Sequence, residues 1–440
     1  MQSDESLLAR PAFRQAARNF GWLVGERGIR FALGAVVGFL IARHLGPSGL
    51  GSLSYCLALV TLFQSVASAG VEAVVRRDLL QAPETTGRLL ADSFGLRLLG
   101  GLVAAAGLVG FALLVPVRSP EERTLLVILA VLLWQPAWTV PELWLQAHLH
   151  ARQAVLVQAA ALAISAALRL WFLWTDAGLP AFAAAVVVEN VLAGIGLHWA
   201  ARRCGLRISW RPVAGPGMRR LAAESLPLLL ASVAIIVYMR IDEVMLRQMA
   251  GPAEVGIYAA AAKLSEIWYF VPVALGTSVL PALMRARTVG TEAYHGRLQR
   301  YFDVSAAAAY GFAIPIALLA PWLVRLAYGE AYAASAPVLA IHIWSSLFVF
   351  SGVARGQWLV NEGHTRFYLV ATVAGAVSNI GLNLFFIPRW GALGAAWATL
   401  LAYGVAAWVS SFATAPLRPV AWMQTRALLL PVLGWRYLRR

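Results

Sequence analysis

The chain has 440 residues, of which 60% are hydrophobic and 13% charged, whereas a soluble globular domain has about 45–50% and about 25%; a water-soluble enzyme, a disordered chain and a disulfide-stapled secreted protein are excluded. The net charge of +15 comes from 35 arginines and one lysine, Lys263, and at this mean hydropathy (+0.70) it reads as membrane topology and not as affinity for nucleic acid. Cys56 and Cys204 define neither a disulfide framework nor a metal site.

Residues 1–18 mix Arg10, Arg14 and Arg18 with Leu7, Leu8 and Phe13, the pattern of a short helix lying on the membrane surface. The next apolar run is too long for a signal peptide, and no small-residue cleavage site follows it. A spanning helix needs about 20 apolar residues. Apolar runs predict six spans at 19–42, 50–75, 89–115, 124–147, 152–175 and 180–201. Six more follow at 222–249, 254–284, 300–325, 334–359, 366–388 and 391–414, and a last apolar stretch at 427–435 is too short to cross. The expected fold class is therefore an all-α membrane protein of about 12 transmembrane helices. Its expected divisions are a surface segment at 1–18, a six-helix bundle at 19–201, a basic cytoplasmic connector at 202–221, a second bundle at 222–414 and a basic cytoplasmic tail at 415–440.

With the N-terminus placed inside and the sides alternated, 23 basic residues fall in cytoplasmic segments, 6 fall on the opposite side and 7 lie within helices. This bias is the positive-inside signature and puts both termini in the cytoplasm. The halves also repeat. Gly46-Pro47-x-x-x-Gly51 follows the first span, and Gly251-Pro252-x-x-x-Gly256 follows the seventh, 205 residues later. Trp144-Leu145 with His150-x-Arg152 closes the fourth span, and Trp358-Leu359 with His364-x-Arg366 closes the tenth, 214 residues later. Six is an even number of crossings, so the halves enter from the same side and are related by an axis along the membrane normal.

Charges at bilayer depth cost about 2.5–3.5 kcal/mol each on insertion scales and demand a partner or an aqueous cavity. Glu26, Arg27 and Arg30 share one stripe of the first span, which is either a Glu26–Arg30 pair with Arg27 left over or a site for an anion. In the seventh span Arg240 can pair with Glu243 at i,i+3, while Asp242 points elsewhere and needs another partner. In the eighth, Lys263 either pairs with Glu266 or meets a phosphate as a compact point charge. Arg169 and Arg355 have no local partner, and Arg355 lies near the cytoplasmic mouth, within snorkelling reach. Asp92 and Arg97 are too far apart around their helix to pair, and Glu142, Glu189 and Asp303 are single acids. Glu142 follows a run with Pro136 and Pro141, which free backbone carbonyls. The candidate substrate-binding residues are thus Arg27, Arg30, Lys263, Arg240, Arg169 and Arg355, and the candidate ion-coupling residues are Asp242, Glu26 and Glu266. Most of the 17 tryptophans are expected in the interfacial belts. No nucleotide motif, metal-ligand spacing or Ser/His/Asp arrangement is present, so neither a cofactor nor an enzymatic role is expected.

Asn19-Phe20-Gly21-Trp22-Leu23 and the run from Ala42 to Gly51 resemble the opening of the Wzx-type oligosaccharide flippases of bacterial surface-polysaccharide synthesis, in the multidrug/oligosaccharidyl-lipid/polysaccharide exporter superfamily. Arg240-Ile241-Asp242-Glu243 and Glu266-Ile267-Trp268-Tyr269 are similar to the start of their second half. The resemblance implies two six-helix bundles in a V with alternating access, seated in the bacterial inner membrane. It implies a polyprenyl-pyrophosphate-linked oligosaccharide as cargo, with its anionic part received by the cations of the first and eighth spans. Membrane lipids, H+ or Na+ as coupling ion, and the polymerase and chain-length machinery of the pathway are the expected partners. The alternatives are a cation-coupled multidrug exporter, disfavoured by seven basic groups inside helices, and a lipid II flippase, disfavoured by the lack of two further C-terminal helices. A polymerase or ligase is disfavoured by short external loops. If the topology holds, single cysteines at 118–122 are labelled from outside and those at 205–215 are not; external labelling of the connector overturns the twelve-span arrangement.

Overall fold

The computed structural model describes residues 11–115, 119–206 and 215–433, with the backbone alone for 11–33, 83, 277, 278, 280, 281, 365, 432 and 433. Residues 1–10 of the expected surface segment, 207–214 of the connector and 434–440 of the tail lie outside the described residues. No strand occurs among the described residues, since a helix satisfies its own backbone where there is no water. In chain order the helices are α1 (Pro11–Ala67), α2 (Glu72–Gln81), α3 (Thr86–Leu114), α4 (Pro120–Leu129), α5 (Gln135–Trp138), α6 (Val140–Ala147), α7 (Ala151–Trp174) and α8 (Leu179–Arg203). Then come α9 (Pro216–Met249), α10 (Pro252–Glu266), α11 (Phe270–Val289), α12 (Thr291–Tyr328), α13 (Ser335–His342), α14 (Ser345–Asn361), α15 (Thr365–Ala407), α16 (Arg418–Leu428) and α17 (Leu430–Leu433).

Nine described stretches are long and apolar enough to cross a membrane. Two of them, Gly34–Gln81 and Arg366–Phe412, have 48 and 47 residues, about 70 Å at 1.5 Å per residue, or twice a hydrocarbon core of about 30 Å. Each folds at a glycine in the left-handed region, α1 at Gly46 (φ 65°) and α15 at Gly391 (φ 54°). With Pro252–Val289, which is interrupted by a 3-10 turn at Ile267–Tyr269, they complete the twelve expected elements. α1 also runs unbroken from Pro11 into the first span.

The fourth and tenth expected spans are broken inside as well. The fourth passes through a 3-10 turn at Ala130–Trp134 and short α5 before α6. Pro136 has no N–H to give the Leu132 carbonyl, and Gln64 Nε2 supplies that donor at 2.7 Å. The tenth divides into α13 and α14 between His342 and Ser345.

The chain forms two compact units, one of residues 1–44 and 56–233, the other of 45–55 and 234–440. In the first unit Val74, Val75 and Leu79 of α2, Leu90 of α3, Leu143 and Leu145 of α6 and Leu197 of α8 form one buried cluster. Two tryptophans seat in glycine notches beside it: a Cβ at Gly101 would lie 2.7 Å from Trp134, and one at Gly194 2.6 Å from Trp138. In the second unit Leu298, Tyr301 and Phe302 of α12 pack with Leu283 of α11, Leu359 of α14 and Val420 of α16. α16, in the expected cytoplasmic tail, is thus part of this core. Its Gln424 is fully buried and donates to Ser351 Oγ and the Ala407 carbonyl, both at 2.8 Å.

The sequence repeats have matching geometry. Gly46 (φ 65°) and Gly251 (φ 96°) each turn the chain ahead of Pro47 and Pro252. Within the second unit the two motifs face each other reciprocally. A Cβ at Gly51 would strike the Pro252 carbonyl, and one at Gly256 the Pro47 carbonyl. In the other pair, the His150 N–H bonds the Leu145 carbonyl at 2.7 Å and the His364 N–H bonds the Leu359 carbonyl at 2.7 Å. The residue before each histidine is left-handed, Leu149 (φ 60°) and Gly363 (φ 78°). Trp144 and Trp358 lie over those histidines at 5.9 and 5.7 Å.

Two stability predictions follow from these contacts. Gly256→Ala drives a Cβ into backbone that no rotamer can move and is expected to cost about 1–3 kcal/mol, whereas Gly381→Ala, with nothing within 4 Å, is neutral or stabilising. Leu149→Gly removes a left-handed leucine worth about 1–2 kcal/mol of strain and is expected to raise the melting temperature. Thermal unfolding in detergent checks both; equal melting of Gly256→Ala and Gly381→Ala rejects the first.

Candidate functional site

The second unit buries a carboxylate among neutral groups. Asp242, on α9, is 1% exposed. Its Oδ2 accepts the Tyr258 hydroxyl and the Thr399 hydroxyl, each at 2.6 Å, and its Oδ1 accepts Asn383 Nδ2. Asn383 Nδ2 also donates to Asn379 Oδ1, one turn away, at 3.0 Å. No described basic side chain pairs with Asp242.

The fold at Gly391 builds this shell. It doubles α15 back so that Thr399 on the second limb and Asn383 on the first reach the same carboxylate. Glu254, at the start of α10, accepts the Ala392 N–H at 2.7 Å and holds the fold. The ring of buried His342 stands edge-on to Tyr258 at 5.7 Å. Asn383 Oδ1, Asn379 Nδ2 and His342 Nδ1 have no partner. An acceptor without a donor beside a carboxylate is unusual at such depth. The arrangement can take a proton on Asp242, or a small hard cation among the oxygens of Asp242, Asn379, Asn383 and Thr399.

Beside it Arg240 bridges two acids, Glu243 at 3.1 Å and Glu266 at 3.2 Å. The i,i+3 pair expected from the sequence is present, and Glu266 is held by Arg240 across from α10. Lys263 is exposed on α10. Arg355 does not snorkel: it is 3% exposed. Its Nη1 donates to Ser410 Oγ (2.7 Å) and Ser411 Oγ (2.9 Å), and its Nη2 to the Ala406 carbonyl (2.6 Å).

In the first unit Arg169 and Glu189, each solitary in its own span, meet at 2.9 Å across α7 and α8. Arg97, 2% exposed, donates to the Pro136 carbonyl at 2.7 Å, one of the groups released where α5 breaks, and lies 3.5 Å from Glu72. Glu142 accepts Gln146 Nε2 at 2.9 Å. Arg77, Asp78, Arg220 and Glu224 form a chain of ion pairs, with Arg77–Glu224 at 2.6 Å. Glu26, Arg27 and Arg30 belong to α1, and their side chains lie outside the described residues.

The structure thus brings Asp242, Arg240 and Glu266 into neighbouring clusters of one unit and leaves Arg169 in the other. Reading the sequence missed Tyr258, Asn379, Asn383, Thr399 and His342. Asn379 and Asn383, two amides at i,i+4 inside an apolar run, were the available signal.

Comparison with known proteins places this geometry. The sequence model for polysaccharide biosynthesis proteins matches residues 16–287, and that for MatE matches 227–385. No curated protein sequence matches the chain. Among solved structures, the chain is similar to the lipid II flippase MurJ in an inward closed conformation, with a TM-score of 0.70 at 14% identity over 96% of this chain and 93% of that one. It is similar to an inward-facing multidrug resistance MATE family transporter of the MOP superfamily, with a TM-score of 0.68 at 14% identity over 91% and 94%. A MOP superfamily transporter from Pyrococcus furiosus, with a binding pocket of reverse polarity, gives a TM-score of 0.60 at 16% identity over 98% and 99%. These likenesses show the fold alone, which is that of the solved MurJ and MATE structures. Since its family model covers more than half of the sequence, the chain belongs to the polysaccharide biosynthesis protein family.

Proposed function

We propose that the protein is a flippase that moves a polyprenyl-pyrophosphate-linked oligosaccharide from the cytoplasmic to the periplasmic leaflet of a bacterial inner membrane, driven by a proton or sodium gradient. The observation that carries this reading is Asp242, a carboxylate buried in a purely neutral shell in a chain of the polysaccharide biosynthesis family. An acid that is only structural at such depth is expected to have a basic partner. Asp242, itself on α9, has hydroxyl and amide partners drawn from α10 and both limbs of α15, so its occupant sets how those helices pack.

A proton or cation at Asp242 neutralises it and favours one packing over the other. A differential affinity of about 5.5 kcal/mol between two states moves their ratio from 1:99 to 99:1. In this scheme the cargo's pyrophosphate is received by Arg27, Arg30 and Lys263. Arg240 and Arg169 serve first to neutralise Glu243, Glu266 and Glu189, and Glu26 offsets the arginines beside it. Both termini lie in the cytoplasm, and the polymerase of the pathway takes the cargo on the far side.

A second reading, a cation-coupled multidrug exporter, is favoured by the MatE match over residues 227–385. Lipid II as cargo is a further alternative, and the MurJ likeness at 14% identity bears on fold alone. The cargo is decided by a deletion strain. Accumulation of a lipid-linked oligosaccharide, identified by mass spectrometry, supports the flippase, and drug sensitivity without accumulation supports the exporter. In the same strain, Arg30→Ala and Lys263→Ala are expected to abolish surface polysaccharide at normal protein abundance, and full complementation by both rejects the pyrophosphate assignment. In reconstituted vesicles with an imposed proton or sodium gradient, Asp242→Asn is expected to bind cargo yet lose the gradient's effect on rate. A variant as gradient-dependent as the wild type removes Asp242 from the coupling scheme.

A further inference from the structure

The second unit holds a cavity of about 490 Å³ walled by α9, α14 and α15. This falls within the range of about 300–1,000 Å³ typical of ligand sites. Much of the wall is apolar, including Phe348, Val349, Val353 and Val360. Its polar members are Arg355, Asn361, Gln357, Thr372 and three tyrosines, Tyr238, Tyr368 and Tyr403, with no aspartate or glutamate among them.

Arg355 is the group this wall leaves uncompensated. It is buried, and no described carboxylate reaches it; its hydrogen-bond partners are two serine hydroxyls and a backbone carbonyl. A guanidinium has five N–H donors. Three are spent on those partners, and the Nε–H has none. Asn361 Nδ2 is a second buried donor without a partner. The hydroxyls of Tyr238, Tyr368 and Tyr403 form no hydrogen bond within the described protein. A buried charge without a counter-ion is strongly unfavourable in an apolar medium, and arginine's planar fork is the side chain best matched to two oxygens of a phosphate. The wall therefore offers donors and a positive charge at one place and hydrocarbon surface beside it.

We infer that this cavity is a binding site for the phosphate or pyrophosphate of an amphiphile. Arg355, Asn361 and the tyrosine hydroxyls hold the oxyanion, and the apolar wall takes the adjoining chain. The inference rests on the transport reading and deepens it by adding, besides the cations Arg27, Arg30 and Lys263 that receive the pyrophosphate, a second place in the second unit where a cargo's anionic part is held. The same chemistry fits a bilayer phospholipid resting there, and the test separates the two sources.

Purified full-length protein in detergent is titrated with farnesyl pyrophosphate, with phosphatidylglycerol and with farnesol, and binding is read by native mass spectrometry. Farnesyl pyrophosphate is expected to bind and farnesol not to. Arg355→Gln is expected to weaken binding at least tenfold. Because Arg355 also ties α14 to Ala406, Ser410 and Ser411, Val353→Trp provides a second arm: it fills the cavity without touching those bonds and is expected to cause the same loss. Preference for phosphatidylglycerol, lost in the same variants, supports the site and assigns it to a bilayer lipid. Absence of binding by any phosphate amphiphile, or equal binding by wild type and both variants, overturns the inference. Binding is read on purified protein and export in cells. A wild type that exports oligosaccharide but binds no phosphate amphiphile overturns this assignment alone; one that binds but exports nothing overturns only the transport reading.

Discussion

At bilayer depth a polar group has no water to fall back on, and it must find its partner in the protein. Where Pro136 withholds an N–H, Gln64 reaches 2.7 Å to the orphaned Leu132 carbonyl. Where α5 ends, the Pro136 carbonyl takes Arg97. Gln424 of α16 is drawn into the core by Ser351, Ser411 and the Ala407 carbonyl. The same accounting makes the exceptions informative. Asp242 and Arg355 carry opposite charges in one unit, and among the described residues each is held by neutral groups only.

Those two residues share a support. Thr399, Tyr403 and Ala406 follow one another along the second limb of α15 at intervals of four and three, on one face of the helix. Thr399 bonds Asp242, Tyr403 belongs to the cavity wall, and the Ala406 carbonyl receives Arg355. A rigid limb that shifts or turns at Gly391 displaces all three together.

Composition, apolar run length and arginine counting made the fold class legible, because each is an average over many residues. The two repeats were legible for a sharper reason: a left-handed turn before a proline, or at a helix end, leaves few residue choices, and the chain uses similar ones twice. The interior breaks were less visible. Pro136 announced the first, but nothing in the residues between His342 and Ser345 marks the second. At the site, the i,i+3 spacing gave Arg240 and Glu243, and the isolation of Asp242 showed that its partner lay elsewhere. Of its partners, Tyr258 lies 16 residues on, but the other two, Asn383 and Thr399, come from 141 and 157 residues away in sequence. No local pattern encodes that distance; the doubling of α15 at Gly391 creates it. Arg169 and Glu189 met for the same reason, through the packing of α7 on α8.

The segment 45–55 packs with the second unit, and its Gly51 lies against Pro252. In a chain made from its N-terminus, this segment leaves the ribosome about 200 residues ahead of the surface that receives it. At roughly 5–20 residues per second the wait is on the order of 10–40 s. Throughout it Gly46, Pro47 and Gly51 have no docking partner, and the early helices assemble with one joint open. Closing that joint is a late event that adds a packing contact to the covalent link between the two halves of the chain, so a polypeptide cut between the halves leaves the second fragment without residues 45–55.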